Sequence, residues 1–224
     1  MEADLGSYIR KLDMVDPEEV EQSRRAILSR GSEVIGYLIA SYRSSDSETV
    51  RCRLLSLIAE LAIDGTHLPE GFVEEIILRK DEVDKKERAT IYKEMGAILE
   101  AGASANLFEL GLMDPNDRVR ANAVEGLAIF IDRFPYENAP LELLDKLVDD
   151  ANSRVRVNVR LILYQLYQQR QRKIIEELKH IARYGDDEEK SGAAFALKKL
   201  VKLKVSPSLD DVKALSIFRS IHVR

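Results

Sequence analysis

The chain has 224 residues, of which 45% are apolar and 33% are charged, with a formal net charge of −5. This apolar content excludes a disordered chain, and no apolar run approaches the roughly 20 residues that a membrane span requires. The first residues also lack the basic and apolar segments of a secretory signal, so we expect a soluble cytoplasmic protein without membrane contact. Abundant Leu, Ala, Glu, Lys and Arg, with no Trp, predict an all-α fold.

Six helix pairs are predicted along the chain. Each has a turn with an acidic residue, followed by a second helix whose apolar residues recur at helical spacing. The residues that mark the second helices, at positions 21, 51, 88, 120, 156 and 190, lie 30 to 37 residues apart, which is typical of a helical repeat. The predicted pairs span about 3–29, 33–63, 68–101, 103–132, 140–168 and 170–203. A last helix at about 207–221 is expected to cap them, so 1–224 is predicted to be one domain.

The repeat is clearest in two seven-residue stretches, DPNDRVR at 114–120 and DANSRVR at 150–156, which are offset by 36 positions. Asp114 and Asp150 stand where a turn ends the first helix of each pair, and a proline at 115 cannot extend that helix. The pair at 33–63 keeps a similar pattern, with Asp46 before Val50 and Arg51. The other three pairs keep the helical spacing and lack the Val-Arg dipeptide.

A turn with Asp, followed by Val-Arg at the start of a second helix, resembles the HEAT and HEAT-like repeat family. The resemblance implies a right-handed α-solenoid of about five to six helix pairs. In that family the Asp and Arg side chains of successive units bond to each other along the stack. It therefore implies a structural role for Asp114, Arg120, Asp150 and Arg156, although a row of arginines can also meet an anionic ligand.

No catalytic, cofactor-binding or metal-binding residues are predicted. Cys52 is the only cysteine, so a cysteine-rich zinc site is excluded, and we expect a buried side chain at this position. His67, His180 and His222 fall in different units without metal-ligand spacing, and are expected at the surface or at an interface. The sequence also lacks the glycine-rich loops that bind phosphates.

Charge is unevenly distributed along the chain. Residues 1–150 contain 18 Lys and Arg against 31 Asp and Glu, whereas residues 151–224 contain 16 against 8. Such asymmetry suggests an interaction surface, unless it is incidental. The basic end suits an acidic protein or, less well, a nucleic acid, and the opposite charges of the two ends permit head-to-tail self-association.

One stripe at the basic end is the candidate contact surface. Arg156, Arg160 and Tyr164 are spaced four residues apart and so share one helix face. Because second helices usually line the concave surface of stacked helix pairs, we expect partner contacts there. The predicted contact residues are Arg160, Tyr164, Gln168, Lys198 and Lys202. The alternative is that Tyr164 belongs to the core and the charges only keep the surface soluble.

The sequence favours a non-enzymatic scaffold or adaptor, because stacked repeats leave an extended surface free for a protein partner. Nucleic-acid binding through the basic end is a second interpretation, weakened by the acidic remainder. The resemblance also admits an enzyme, since HEAT-like proteins include alkylpurine DNA glycosylases and bilin lyases.

Overall fold

A computed structural model describes residues 2–135, 139–185, 187, 190, 193 and 194. The described residues are predominantly helical and include no β-strand, which confirms the predicted all-α class. Short 3-10 turns at Gly31–Val34 and Ala105–Phe108 lead directly into the α-helices that begin at Ile35 and Glu109. The α-helices are α1 Glu2–Lys11, α2 Pro17–Leu28, α3 Ile35–Ser44, α4 Glu48–Ile63, α5 Phe72–Arg79, α6 Lys85–Ile98, α7 Glu109–Leu112, α8 Asp117–Arg133, α9 Leu141–Leu147 and α10 Ser153–Tyr184.

The chain divides into two compact units, Met1–Ile162 and Leu163–Arg224. In the first unit, α2, α4, α6 and α8 pack against one another in chain order. Each is also packed against the helix that precedes it, so α1, α3, α5 and α7 form pairs with them. The first turns of α10 bond to α8, where Asn158 Nδ2 donates to Glu125 Oε1 at 3.0 Å.

The two copies of the repeated motif form the same helix-entry turn. Asp114 Oδ1 accepts a hydrogen bond from the Asn116 backbone N–H at 2.8 Å, and Asn116 Oδ1 then caps α8 by accepting from the Arg118 N–H at 3.1 Å. Asp150 and Asn152 repeat the arrangement at the start of α10, at 2.8 and 2.9 Å. Asn and Asp side chains favour such turns because they satisfy backbone N–H groups that the helix leaves without partners.

The closest helix packing is between α6 and α8, where glycines bring the two backbones together. A Cβ atom placed on Gly126 would lie 2.0 Å from the Tyr92 carbonyl oxygen, and one on Gly96 would lie 2.1 Å from the Gly126 carbonyl oxygen. Phe108 and Phe130 are fully buried beside this contact, with ring centroids 5.9 Å apart. The approach therefore depends on the absence of a side chain at both glycines.

Arg133, at the end of α8, caps the end of α6. Its Nη1 donates to the carbonyl oxygens of Gly96 at 3.0 Å and Leu99 at 2.9 Å, and also to that of Ala97. A cation at this position satisfies carbonyls that the helix leaves without partners and complements the helix dipole. Burial lowers the pKa of Arg133 from its ordinary value.

In the second unit, the described structure is mainly the continuation of α10. The helix runs without a break through 168–170, where the sequence predicts a boundary between units, and ends at Tyr184. His180 and Tyr184 are exposed, with ring centroids 4.9 Å apart. The predicted cap at 207–221 and His222 lie outside the described residues. No helix in the described part of the chain has both the length and the apolar character to span a bilayer.

Candidate partner-binding face

An arginine recurs at the same position of α4, α6, α8 and α10, and the first three of these arginines each pair with a carboxylate of the next helix pair. We call Arg51, Arg88, Arg120 and Arg156 the arginine ladder. Arg120 donates from Nε and Nη2 to the two carboxylate oxygens of Asp150, at 2.7 and 2.9 Å, and from Nη1 to the Asp114 carbonyl oxygen at 2.9 Å. Arg88 Nε donates to Asp114 Oδ2 at 2.8 Å. The bidentate pairing of Arg120 fixes both side chains, and the single bond of Arg88 joins the preceding pair of turns in the same way.

Arg51 follows the same rule with a different acceptor. It donates from Nη2 to Glu87 Oε2 at 2.7 Å, and Arg79 Nε donates to Glu87 Oε1 at 2.9 Å. Tyr42 OH also donates to Oε1, at 3.3 Å, and the Glu87 side chain is only 2% exposed. Burial raises the pKa of Glu87, but bonds from Arg51 and Arg79 lower it by more, so the net shift is downward.

Glu87 is not among the residues predicted from the sequence, although its position in the repeat indicates a special role. It immediately precedes a ladder arginine, a place that Val50, Val119 and Val155 occupy in the other helix pairs. A carboxylate at an otherwise apolar, buried repeat position indicates a charged partner, because an unpaired buried charge is strongly unfavourable. This exchange explains why the third helix pair lacks the Val-Arg dipeptide.

Arg156 ends the ladder. Its Nη1 donates to the carbonyl oxygens of Asp150 at 2.7 Å and Ala151 at 2.9 Å, which repeats the backbone contacts of Arg120. Within the described residues, however, no carboxylate accepts a bond from Arg156, whereas the other three ladder arginines each hold one. The acceptors that the described structure gives Arg156 are therefore backbone carbonyl oxygens of its own helix-entry turn.

The position four residues after each ladder arginine changes character in α10. In α4, α6 and α8 it is occupied by Leu55, Tyr92 and Val124, all buried. In α10 it is occupied by Arg160, which is exposed and donates from Nη1 to the Arg156 carbonyl oxygen at 3.2 Å. A site that three helices use for the core is therefore occupied by a cation in the fourth.

Two apolar side chains adjoin these arginines on the solvent side. Val157 is 55% exposed and Leu161 is 60% exposed. At the position of Val157, the earlier helices bury Cys52, Ala89 and Ala121. We call Arg156, Val157, Arg160 and Leu161 the open face of α10.

The equivalent face of α8 is covered by the turn and the helix that follow it. There, Arg120 pairs with Asp150, the Ala121 carbonyl oxygen accepts from Asn158 Nδ2 at 3.5 Å, and Glu125 Oε1 accepts from Arg154 Nη2 at 2.6 Å. Three of the four equivalent positions on α8 thus bond to the following turn and helix. The open face of α10 is the same surface without such a neighbour among the described residues.

Among the remaining predicted contact residues, the structure describes one side chain. Gln168 is exposed on α10. The Tyr164 side chain, Lys198 and Lys202 lie outside the described residues. Of the predicted stripe, the structure therefore places Arg160 at the open face, beside Arg156.

Other candidate chemical groups have ordinary surroundings. Cys52 is buried, as expected, and burial raises the pKa of its thiol. His67 is exposed in the loop after α4. No three His, Cys, Asp or Glu side chains in the described part of the chain come together in a way that could hold a metal ion.

Acid should weaken the first unit through the carboxylates of the ladder. Bonds from Arg120 hold the pKa of Asp150 below its ordinary value of 3.8, and the pKa of Glu87 lies below its ordinary value of 4.5. Because the folded state lowers both values, their contribution to stability is complete above the ordinary values and is lost as pH falls through the lower folded ones. We expect the urea concentration at the unfolding midpoint to decrease as pH falls through this acidic range. The decrease should be smaller in Asp150→Asn than in wild type. Equal acid sensitivity of the two proteins would contradict the assignment to Asp150.

No protein-family model matches the chain, and a search of curated proteins finds no match.

Proposed function

We propose that the chain is a non-enzymatic scaffold or adaptor, built as a right-handed α-solenoid of five to six HEAT-like helix pairs. In this proposal it binds a protein with an acidic surface through the open face of α10. Consecutive packing of α2, α4, α6 and α8 supports the solenoid, because each helix pair then contacts only its neighbours and leaves an extended surface free.

The observation that carries the binding proposal is Arg160. It takes a position where Leu55, Tyr92 and Val124 are buried, and yet it is exposed beside Arg156. Two guanidinium groups on adjacent turns present planar donor sets that suit carboxylates. An acidic partner would supply to Arg156 the carboxylate that Glu87, Asp114 and Asp150 supply to the other ladder arginines.

The exposed apolar side chains support a protein as the partner. Val157 and Leu161 lie four residues apart, so they are neighbours on one side of the helix. Interfaces between proteins typically combine a small apolar centre with arginines around it. Phosphate recognition would draw on the arginines alone and leave these two side chains unused.

Charge reversal at Arg160 tests the proposal. The immobilised full-length chain is used to capture proteins from cells of its source at low salt, and the bound proteins are identified by mass spectrometry. We expect a protein with an acidic surface that wild type retains, that high salt releases, and that Arg160→Glu retains at least about tenfold less, because two opposite charges become like charges. Arg118→Glu, at an exposed arginine in the first turn of α8, is the matched control and should retain it.

Two results would contradict the proposal. One is equal retention by Arg160→Glu and wild type. The other is release of the bound material by nuclease together with salt-dependent retention of duplex DNA, which would favour the nucleic-acid alternative.

A further inference from the structure

The far end of the first unit carries a loop that complements the open face. The acidic loop, residues 13–16, joins α1 to α2 and contains Asp13 and Asp16 around Met14 and Val15. Val15 is 94% exposed and Met14 is 43% exposed, so two apolar side chains stand in solvent between carboxylates. Adjoining exposed apolar side chains with polar residues around them are a feature that contact sites share.

The two surfaces have opposite charge over short stretches. Residues 13–19 include four acidic residues and no basic one, because Glu18 and Glu19 follow the loop in the first turn of α2. Residues 153–161, which include the open face, contain three arginines and no acidic residue. Each surface also has two exposed apolar residues at its centre, so the surfaces match in charge and in polarity.

The acidic loop is held in shape by neighbouring side chains. Arg53 of α4 donates from Nη1 to the carbonyl oxygens of Leu12 and Met14, the second at 3.1 Å. Ser47 Oγ donates to Asp13 Oδ1 at 2.6 Å, and Asp16 Oδ1 caps α2 by accepting from the Glu18 N–H at 2.9 Å. A loop already ordered in this way loses little conformational entropy when it binds.

We propose that a partner of the open face is a second copy of this chain, which docks its acidic loop there. This inference rests on the proposed function, because it assigns an occupant to the same face. Val15 and Met14 of one copy meet Val157 and Leu161 of the other, and the carboxylates around them face Arg156 and Arg160. Because the two surfaces differ, the contact is head-to-tail: one copy uses its acidic loop and keeps its open face unused, and the other uses its open face and keeps its loop unused.

Two single variants separate the surfaces. Val15→Lys replaces an almost fully exposed apolar side chain of the acidic loop with a cation, and it leaves the open face intact. Arg160→Glu alters the open face and leaves the loop intact. Leu78→Lys, at a 70% exposed leucine of α5, and Arg118→Glu are the matched controls.

Sedimentation velocity of the full-length chain tests the inference. At low salt, the average mass of wild type should rise with concentration and fall again at high salt. Val15→Lys and Arg160→Glu should each sediment as monomers, and the two controls should behave as wild type does. An equimolar mixture of the two variants should give a species of twice the monomer mass and nothing larger, since only one intact contact can form in each pair.

A wild-type chain that stays monomeric at high concentration and low salt would overturn self-association. If Arg160→Glu still loses a captured acidic protein in that case, the proposed function stands and only the identity of the partner changes. Association of wild type that persists in both single variants would also overturn the inference, because it would require other surfaces.

Discussion

Replacing Gly126 by alanine should destabilise the first unit by at least about 2 kcal/mol, and by more if the helices cannot separate. The new Cβ would lie 2.0 Å from the Tyr92 carbonyl oxygen and 2.9 Å from that of Lys93. Both obstacles are backbone atoms of α6, so a rotamer change cannot relieve the clash, and α6 and α8 must move apart. Urea unfolding followed by circular dichroism measures the effect.

Gly36→Ala is the matched control for this substitution. Gly36 also lies in a helix, α3, but a Cβ there would meet nothing within 4 Å. Alanine should leave stability unchanged or raise it by up to about 1 kcal/mol, since glycine is the poorer helix former. Similar losses at Gly126 and Gly36 would contradict the close approach of α6 and α8.

Replacing Glu87 by glutamine should lower the free energy of unfolding by about 2 to 3 kcal/mol. Removing one member of a fully buried ion pair typically destabilises a protein by more than this. Here the Arg51 and Arg79 side chains are 15% and 31% exposed, so water solvates part of the charge that loses its partner. The substitution keeps the shape of the side chain and removes its charge. Chemical unfolding at neutral pH should show the loss.

Two further variants separate charge from packing at this position. Glu87→Val supplies the residue found before the other ladder arginines, and it should still destabilise, because Arg51 and Arg79 lose their acceptor. Glu74→Gln, at an exposed position of α5, should change stability by less than about 0.5 kcal/mol. Wild-type stability in Glu87→Val would mean that packing, not pairing, is what this position requires.

Much of the helical pattern can be predicted from the sequence because its signals are local. Apolar spacing predicts amphipathic helices, and the Asp and Asn of the repeated motif form a turn through bonds that reach only two or three residues along the chain. The bidentate bond between Arg120 and Asp150 joins two residues that the motif itself singles out. Because the motif is repeated, a contact between residues 30 positions apart can be predicted from a pattern of seven residues.

Other features depend on neighbours that the sequence does not reveal. Nothing local distinguishes Gly126, which is in backbone contact with α6, from Gly36, where an added Cβ would meet nothing within 4 Å. The role of Glu87 depends on Arg79, which comes from the preceding helix α5 and lies outside the repeated motif. Helical spacing alone predicts a surface position for Arg160. That this position belongs to the core in other helices is seen only by comparison with the buried Tyr92 and Val124.

Arg120 of α8 and Arg160 of α10 stand one helical turn apart in the repeat but have different surroundings. Arg120 pairs with Asp150, whereas Arg160 is exposed at a repeat position that the earlier second helices bury, and binding by Arg160 is the proposal to be tested. The most direct test is retention of the captured acidic protein by Arg160→Glu at low salt, in protein whose unfolding midpoint equals that of wild type. We predict that retention is lost while stability is kept. Undiminished retention in such a stable variant would contradict the assignment of the open face as the binding surface.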